Sequence, residues 1–357
     1  MSDERYMAIP PSAIVPGALP EFKIYFRSSQ GIYTLWAAEG NKVSARQLAK
    51  LLEGGLKEVF VDLDEQFKYE EYLESNLDRI LDNPAGSIDQ KAAIFSKISM
   101  NVVKNAFDVS FGTGSLGPNT LRRVENLVKN ALLFLSETKS LKALADMIGH
   151  DYQTYEHATK VLWYAIGILG DNPNVLEIIE PSYPFLDDDQ KKDVLRQCGV
   201  AALLHDVGKV FIPPEILNKN GPLTDVEWEI MKRHPLTSLA MLVGTEVPDF
   251  VRKAAMQHHE DFNGRGYPMG LLGLNINILA RVLRIVDTFD AMTSRRPYKE
   301  PMPPMKALKI MVGTPLPVKT GEEGSVGDDR DKGMLLCFDE ELLRKFILYI
   351  GKMKLSE

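Results

Sequence analysis

The stretch Ala201-Ala-Leu-Leu-His-Asp-Val-Gly-Lys209 sets a histidine and an aspartate directly behind a run of apolar residues. Such a run predicts a buried helix, which carries His205 and Asp206 with it. Adjacent residues of a helix point about 100° apart. The two side chains can still serve one pair of metal ions if Asp206 bridges the ions. A lone His-Asp pair is common in proteins, so this interpretation depends on the residues that accompany it.

The accompanying residues are histidines. Five of the six histidines in the chain form one ordered series. The first 149 residues contain none, and His150 needs no role beyond a helix boundary. Imidazole and carboxylate groups are ligands of iron, manganese and zinc. The set is too large for one tetrahedral ion and indicates a two-metal site. The series runs through His157, His205, His234, His258 and His259, and it closes at Asp287.

Two-metal sites typically hydrolyse phosphate esters, and a nearby lysine fits that chemistry. Lys209 lies four residues after His205, on the same face of a helix. Its ammonium group would stabilise phosphoryl charge or protonate a leaving oxygen. Gly208 lets the backbone turn between His205 and Lys209.

The bulk composition is that of an ordinary globular protein, with 45% hydrophobic and 25% charged residues among 357. This length allows two or three domains. The net charge of −7 argues against binding to long nucleic acid. Two cysteines exclude a disulfide framework. We expect no signal peptide and no membrane span, because the most apolar helical stretch, residues 161–170, is short. The expected location is therefore the cytoplasm.

Residues 1–85 are predicted to form a small α/β module with a regulatory or dimerisation role. Phe22–Phe26 and Ile32–Trp36 have the pattern of a β-hairpin. A helix over Val43–Leu52 and a strand over Glu58–Asp62 follow. A charged helix is then predicted over roughly Glu65–Leu81.

Residues 86–148 are predicted to be a helical connector, with helices at about 89–108 and 121–147. These helices fit equally well as part of a continuous core. From residue 149 to residue 357 nearly all periodic segments are helical. The exception is the Gly-rich acidic stretch 314–333, which predicts a mobile loop.

Residues from Asp151 to Tyr349 resemble an HD-GYP domain, a branch of the HD phosphohydrolase superfamily. The similarity covers more than half of the chain, and its Gly-Tyr-Pro turn separates this branch from the wider superfamily. The residues that carry it are His205-Asp206-Val-Gly-Lys209, Ile212-Pro-Pro-Glu-Ile-Leu-Asn-Lys219, Leu223-Thr-Asp-Val-Glu-Trp228, His234-Pro235, His258-His259-Glu260, Gly266-Tyr267-Pro268 and Arg296-Pro-Tyr-Lys299.

The resemblance implies an α+β protein in which a mostly helical HD-GYP domain, residues 149–357, follows the small α/β module. It also implies a phosphodiesterase that hydrolyses cyclic di-GMP to pGpG or GMP, by attack of a metal-bridging hydroxide. The cofactors would be two divalent ions, iron or manganese. Alternatives are a binding-only sensor of the dinucleotide, or an HD phosphohydrolase acting on another nucleotide such as cyclic GMP-AMP.

Carried onto this sequence, the resemblance assigns a role to individual residues. Asp206 would bridge the ions, and Lys209 would assist at the phosphate. The metal ligands would be His157, His205, Asp206, His234, His258, His259 and Asp287, and the substrate contacts Lys209, Tyr267, Asp290, Arg296 and Lys299.

One departure bears on the number of ions. Relatives with three metals place a glutamate four residues before the first histidine, where this chain has Gln153. A neutral amide is a weak ligand, which favours two ions over three. For partners, we consider a diguanylate cyclase or another signalling protein at the Gly266-Tyr267-Pro268 loop, and a homodimer.

Overall fold

A computed structural model describes residues 5–53, 56–84, 86–135, 154–294, 301–313 and 334–355. The described residues up to Ile98 form one compact unit, and those from Ser99 onward form another. Gln153, Arg296 and Lys299 lie outside the described residues, as does the stretch 314–333 that was predicted to be a mobile loop.

The first unit is built on an antiparallel sheet with the strand order β1-β4-β2-β3. Its strands are β1 (Tyr6–Ile9), β2 (Ile24–Arg27), β3 (Tyr33–Ala37) and β4 (Val59–Asp62). The predicted hairpin is confirmed as β2 and β3, which pair Phe26 with Thr34. The sequence did not predict β1, which pairs with β4.

Three helices accompany this sheet: α1 (Ala45–Glu53), α2 (Gln66–Ser75) and α3 (Leu77–Asp82). The prediction of one continuous helix between residues 65 and 81 is wrong. Asn76 leaves the helical region, with φ −122° and ψ 17°, and its side-chain amide donates to the Tyr72 carbonyl at 2.8 Å. An asparagine amide competes in this way with the helical hydrogen bonds.

After the sheet, the regular elements of the described residues are helices. A long helix, α4 (Ile88–Thr113), includes the boundary between the units. The second unit continues with α5 (Pro118–Leu135), α6 (Thr154–Gly170), α7 (Pro173–Ile179), α8 (Asp188–Leu204), α9 (Pro214–Leu217), α10 (Asp225–Met231), α11 (His234–Leu242), α12 (Asp249–Gln257), α13 (Ile278–Thr293), α14 (Pro304–Met311) and α15 (Glu340–Leu355). The predicted α+β class is therefore confirmed.

The core of the second unit forms where α6 packs on α8 and α13, and α13 packs on α12. α8 starts with a capping box between Asp187 and Gln190, which satisfies backbone groups that would otherwise lack partners. Its last eight residues, Gln197–Leu204, are buried. This packing brings the ends of α8 and α12 close to the start of α6. Within the described part of the chain, no helix combines the length and apolar character of a membrane span.

Candidate metal centre

Three histidines are held in one way, each by a main-chain carbonyl three residues earlier. His205 and His258 follow directly on the last residues of α8 and α12. Their Nδ1 atoms lie 2.7 Å from the carbonyl oxygens of Ala202 and Ala255. His234 makes the same contact with Met231 at 2.8 Å. A carbonyl oxygen only accepts, so each Nδ1 carries the proton and each Nε2 offers a lone pair.

These Nε2 atoms converge on Asp206, whose side chain is 1% exposed. Its Oδ1 lies 3.2 Å from Nε2 of His234 and 3.6 Å from Nε2 of His258. Its Oδ2 lies 3.4 Å from Nε2 of His205 and 3.7 Å from Nε2 of His157. The two oxygens of one carboxylate thus face different pairs of histidines, which is the arrangement of a bridging ligand.

All seven predicted ligands come together in two sets of potential ligand atoms. Within each set these atoms lie within 4.8 Å of one another. The first ligand group consists of Asp206, His234, His258 and His259, and the second ligand group consists of His157, His205 and Asp287.

His157 is held differently from the other three, by a carboxylate. Its Nδ1 donates to Oδ2 of Asp290 at 2.7 Å, and its Nε2 lies 3.0 Å from Oδ1 of Asp287. The other oxygen of Asp290 accepts a hydrogen bond from Ser294 at 2.7 Å. Ser294 in turn accepts from the buried ammonium group of Lys160 at 3.0 Å. A chain of hydrogen bonds therefore runs from Lys160 through Ser294 and Asp290 to His157, a predicted metal ligand.

The donor set fits metal ions. His205 Nε2 and Asp206 Oδ1 are buried without a hydrogen-bond partner, an arrangement that costs free energy unless another group satisfies them. The Nε2 atoms of His234 and His258 lie 3.3 Å apart. Since both rings carry their proton on Nδ1 when neutral, the two lone pairs face each other. A cation between such groups removes the repulsion.

The protonation states are mostly those of ligands. Burial would raise the pKa of Asp206, but the Lys209 ammonium and His205 hold it well below its usual range. Burial acts the same way on Asp287, whose hydrogen bond with His157 outweighs it and lowers the pKa well below normal. Burial lowers the pKa of His258 to about 4. Two ionised carboxylates and a neutral imidazole are ready to bind a cation.

His157 is the exception. Burial lowers its pKa, but hydrogen bonds to Asp287 and Asp290 prevail and raise it to about 9. A metal ion must displace this proton in order to bind.

Comparison with known proteins agrees with this geometry. Residues 183–315 match the HD domain family, and they include six of the seven predicted ligands. This part of the chain is therefore similar to an HD domain. His157 lies outside the matched range.

A cyclic di-GMP phosphodiesterase of Pseudomonas aeruginosa, PA4108, is 30% identical over 278 residues, which are 75% of this chain and 63% of that protein. A 3′3′-cGAMP-specific phosphodiesterase of Vibrio cholerae is 39% identical over 111 residues, 31% of this chain and 24% of that protein. The chain thus spans less than two thirds of either relative.

A solved structure, Bd1817, a HDG"Y"P protein from Bdellovibrio bacteriovorus, aligns with a TM-score of 0.60. The alignment covers 97% of this chain and 99% of that one at 18% identity, so it bears on the fold alone. The family match and the curated relatives confirm the family resemblance predicted from the sequence.

In the matched region, the residues after Asp206 turn tightly against α11. A Cβ atom on Gly208 would lie 2.3 Å from the His234 carbonyl oxygen and 2.4 Å from the Ser238 nitrogen. Ser238 accepts a hydrogen bond from the Gly208 amide and donates to the His205 carbonyl. The same turn places Lys209 Nζ 2.5 Å from Oδ2 of Asp206. Only glycine allows the first ligand group to approach this closely.

The loop after His259 closes against the same site. The buried carboxylate of Glu260 accepts from the backbone amides of Met269 and Leu271 at 2.7 and 2.9 Å. Gly266 packs so closely on this backbone that a Cβ atom would lie 2.1 Å from the Asp261 nitrogen. Tyr267 is thereby stacked on the His259 ring, with centroids 4.8 Å apart.

A half-buried ion pair between Asp261 and Arg284 holds this loop against α13. The Arg284 guanidinium donates to Asp261 at 2.9 Å and to Thr288 at 3.0 Å. Sequence reasoning missed Arg284 and also Lys160 and Ser294. In the sequence, these three residues are marked only by lying on or at the end of the helices that carry Asp287 and His157. Many residues with a purely structural role have the same position.

The predicted substrate contacts are only partly placed. Lys209 and Tyr267 both contact the first ligand group, through Asp206 and His259. Asp290 is instead buried behind His157, with both of its oxygens engaged. That position differs from a substrate contact and matches a group that orients a ligand.

Proposed function

We propose that this chain is a metal-dependent phosphodiesterase that hydrolyses cyclic di-GMP to pGpG or GMP. The observation that carries the proposal is Asp206, whose two oxygens face different pairs of histidines within 3.7 Å. A bridging carboxylate between two sets of ligands is typical of two-metal hydrolysis of phosphate esters. The name of the Pseudomonas relative supports the substrate.

The cofactors in this proposal are two divalent ions, iron or manganese, held by the first and second ligand groups. Histidine nitrogen and carboxylate oxygen suit both metals. A third ion is not part of the proposal, because Gln153 offers a neutral amide. When bound, the ions supply Lewis-acid stabilisation of the phosphate and a water of lowered pKa.

The residues of the chain do the positioning. Lys209, which is 18% exposed beside Asp206, stabilises phosphoryl charge and supplies a proton to the leaving oxygen. Tyr267 lines the substrate site over His259. Arg296 and Lys299 hold substrate phosphates, and Asp290 orients His157.

Further assignments extend the proposal to the whole chain. Residues 1–85 act as a regulatory or dimerisation module, residues 86–148 connect it, and residues 149–357 form the phosphodiesterase domain. The protein works in the cytoplasm. The Gly266-Tyr267-Pro268 loop docks a diguanylate cyclase or another signalling protein.

The test is a product assay with the 357-residue chain. Protein loaded with iron(II) or manganese(II) under reducing conditions is incubated with cyclic di-GMP, and the products are separated by anion exchange. We expect pGpG or GMP with loaded protein and neither with chelator-treated protein. Tight binding of the dinucleotide without turnover would instead favour a sensor.

A second candidate substrate is cyclic GMP-AMP, which the similarity to the Vibrio phosphodiesterase favours. A parallel assay with both dinucleotides compares their kcat/KM values. A ratio above one for cyclic GMP-AMP would reassign the substrate and leave the metal-dependent reaction unchanged.

A further inference from the structure

The region that matches the HD domain family contains an unusually exposed tryptophan, Trp228. Trp228 lies on α10 and is 45% exposed, whereas Trp163 of the same unit is 5% exposed. Large aromatic side chains usually bury their surface in a core or in a complex. What distinguishes Trp228 from other exposed aromatic side chains is its position, because Tyr267 links it to His259 of the first ligand group.

α10 holds this side chain in a defined place. The helix starts with a capping box between Thr224 and Glu227, and Lys219 pairs with the Glu227 carboxylate at 2.5 Å. The end of the helix is tied to the metal centre, because the Met231 carbonyl accepts from Nδ1 of His234. Trp228 is thus fixed relative to the first ligand group.

The neighbour of Trp228 on the other side is Tyr267. The two ring centroids lie 6.1 Å apart, and the ring planes cross at 76°. Tyr267 itself stacks on His259. Because the planes are nearly perpendicular, one flat molecule cannot stack on both rings. A base stacked on Trp228 would meet Tyr267 edge-on, which is a favourable aromatic contact.

We propose that Trp228 is a specificity-determining residue that stacks one purine base of the substrate. The proposal rests on the function proposed above, since a cyclic dinucleotide held by its phosphate at the metals carries its bases beside the site. Stacking on an aromatic side chain suits any purine. Trp228 would therefore select for a nucleotide over a simple phosphodiester, and not for guanine over adenine.

The test compares two substrates across three variants. Cyclic di-GMP carries purines, and methyl 4-nitrophenyl phosphate carries none. In Trp228→Leu we expect KM for cyclic di-GMP to rise about tenfold and the ratio of the two kcat/KM values to fall about tenfold. Trp228→Phe keeps a ring and should recover most of this loss. Phe185→Ala, which removes a 90% exposed ring elsewhere in the unit, is the matched control.

Intrinsic fluorescence gives an independent readout, because the chain has three tryptophans. Cyclic di-GMP or GMP should quench the wild type and Trp36→Phe, and Trp228→Phe should lose the quenching. An unchanged KM in Trp228→Leu, or an equal loss for both substrates, would overturn the proposal. If the wild type cleaves only methyl 4-nitrophenyl phosphate, the proposed function fails. Quenching by GMP then still decides whether Trp228 stacks a purine.

Discussion

One histidine from each ligand group, His258 and His157, shows two different ways of orienting a ring, and the pKa values of the two rings are shifted in opposite directions. His258, in the first ligand group, is held by a neutral carbonyl, and its pKa falls to about 4. His157, in the second, is held by Asp290, and its pKa rises to about 9. A carbonyl fixes the ring and its tautomer, whereas a carboxylate also adds negative charge. The second group should therefore bind its ion more strongly and release a proton in doing so.

The change that breaks both groups at once is Asp206→Asn, because both share this carboxylate. We expect turnover to fall on the order of 10³-fold, since the loss of a bridging charge costs several kcal/mol at the transition state. Metal content, measured by elemental analysis, should drop below that of the wild type. Asp249→Asn, which alters an exposed carboxylate at the start of α12, should retain both. Full activity in Asp206→Asn would contradict the bridging role.

Asp290→Asn separates the charge of the partner from its hydrogen bond. The amide oxygen of asparagine can still accept a hydrogen bond from Nδ1 of His157 but carries no negative charge. We expect the metal affinity of the second group to fall 10- to 100-fold, as for other partners behind metal ligands. Competition with a chromogenic chelator measures it. An unchanged affinity would mean that the orientation of the His157 ring alone determines metal binding. The difference in charge between the partners of His157 and His258 would then have no effect.

The burial of two predicted ligands could be inferred from the sequence, because each follows an apolar helical run. His205 follows Leu204, and Asp287 follows Val286, so burial could be inferred from the residues before them. The structure confirms that these runs are buried helices. The role of Asp290 was not predictable. Its spacing from Asp287 sets both on one face of a helix, but only the packing of α13 on α6 decides which one lies behind His157.

Local rules failed where a contact distant in sequence decides the structure. The strand Tyr6–Ile9 is short, and it exists because β4 offers hydrogen bonds to it. Ser294 looks like an ordinary helix end, yet it connects Lys160 to Asp290. Ser294 lies only four residues after Asp290, but Lys160 is 134 residues away from Ser294, and no sequence periodicity records such a distant pairing.

The pH dependence of metal binding should distinguish the two groups. His157 is protonated below about pH 9 in the metal-free protein, so an ion competes with a proton there. Between pH 6 and pH 8 the affinity of the second group should rise about tenfold per pH unit. The metal affinity of the first group should not rise through deprotonation of His258, because this ring is already neutral above about pH 4. Calorimetric titration in two buffers of different ionisation enthalpy counts the protons released. No release on binding the first ion would contradict this assignment.

Of these variants, Ser294→Ala should have the smallest effect on metal affinity. It also gives the sharpest comparison between the charge of Asp290 and its hydrogen bonds. It removes a hydrogen bond to Asp290 but leaves the carboxylate charge and its bond to His157 in place. A buried hydrogen bond contributes about 1 kcal/mol, so we expect about a fivefold loss of affinity in the second group. The matched control is Ser182→Ala, which removes an exposed hydroxyl bonded to Glu180. Because the charge is retained, the pH slope of metal binding should stay as in the wild type, while Asp290→Asn should flatten it. If both variants flattened the slope equally, the high pKa of His157 would arise from the rigidity of the chain of hydrogen bonds and not from the charge of Asp290.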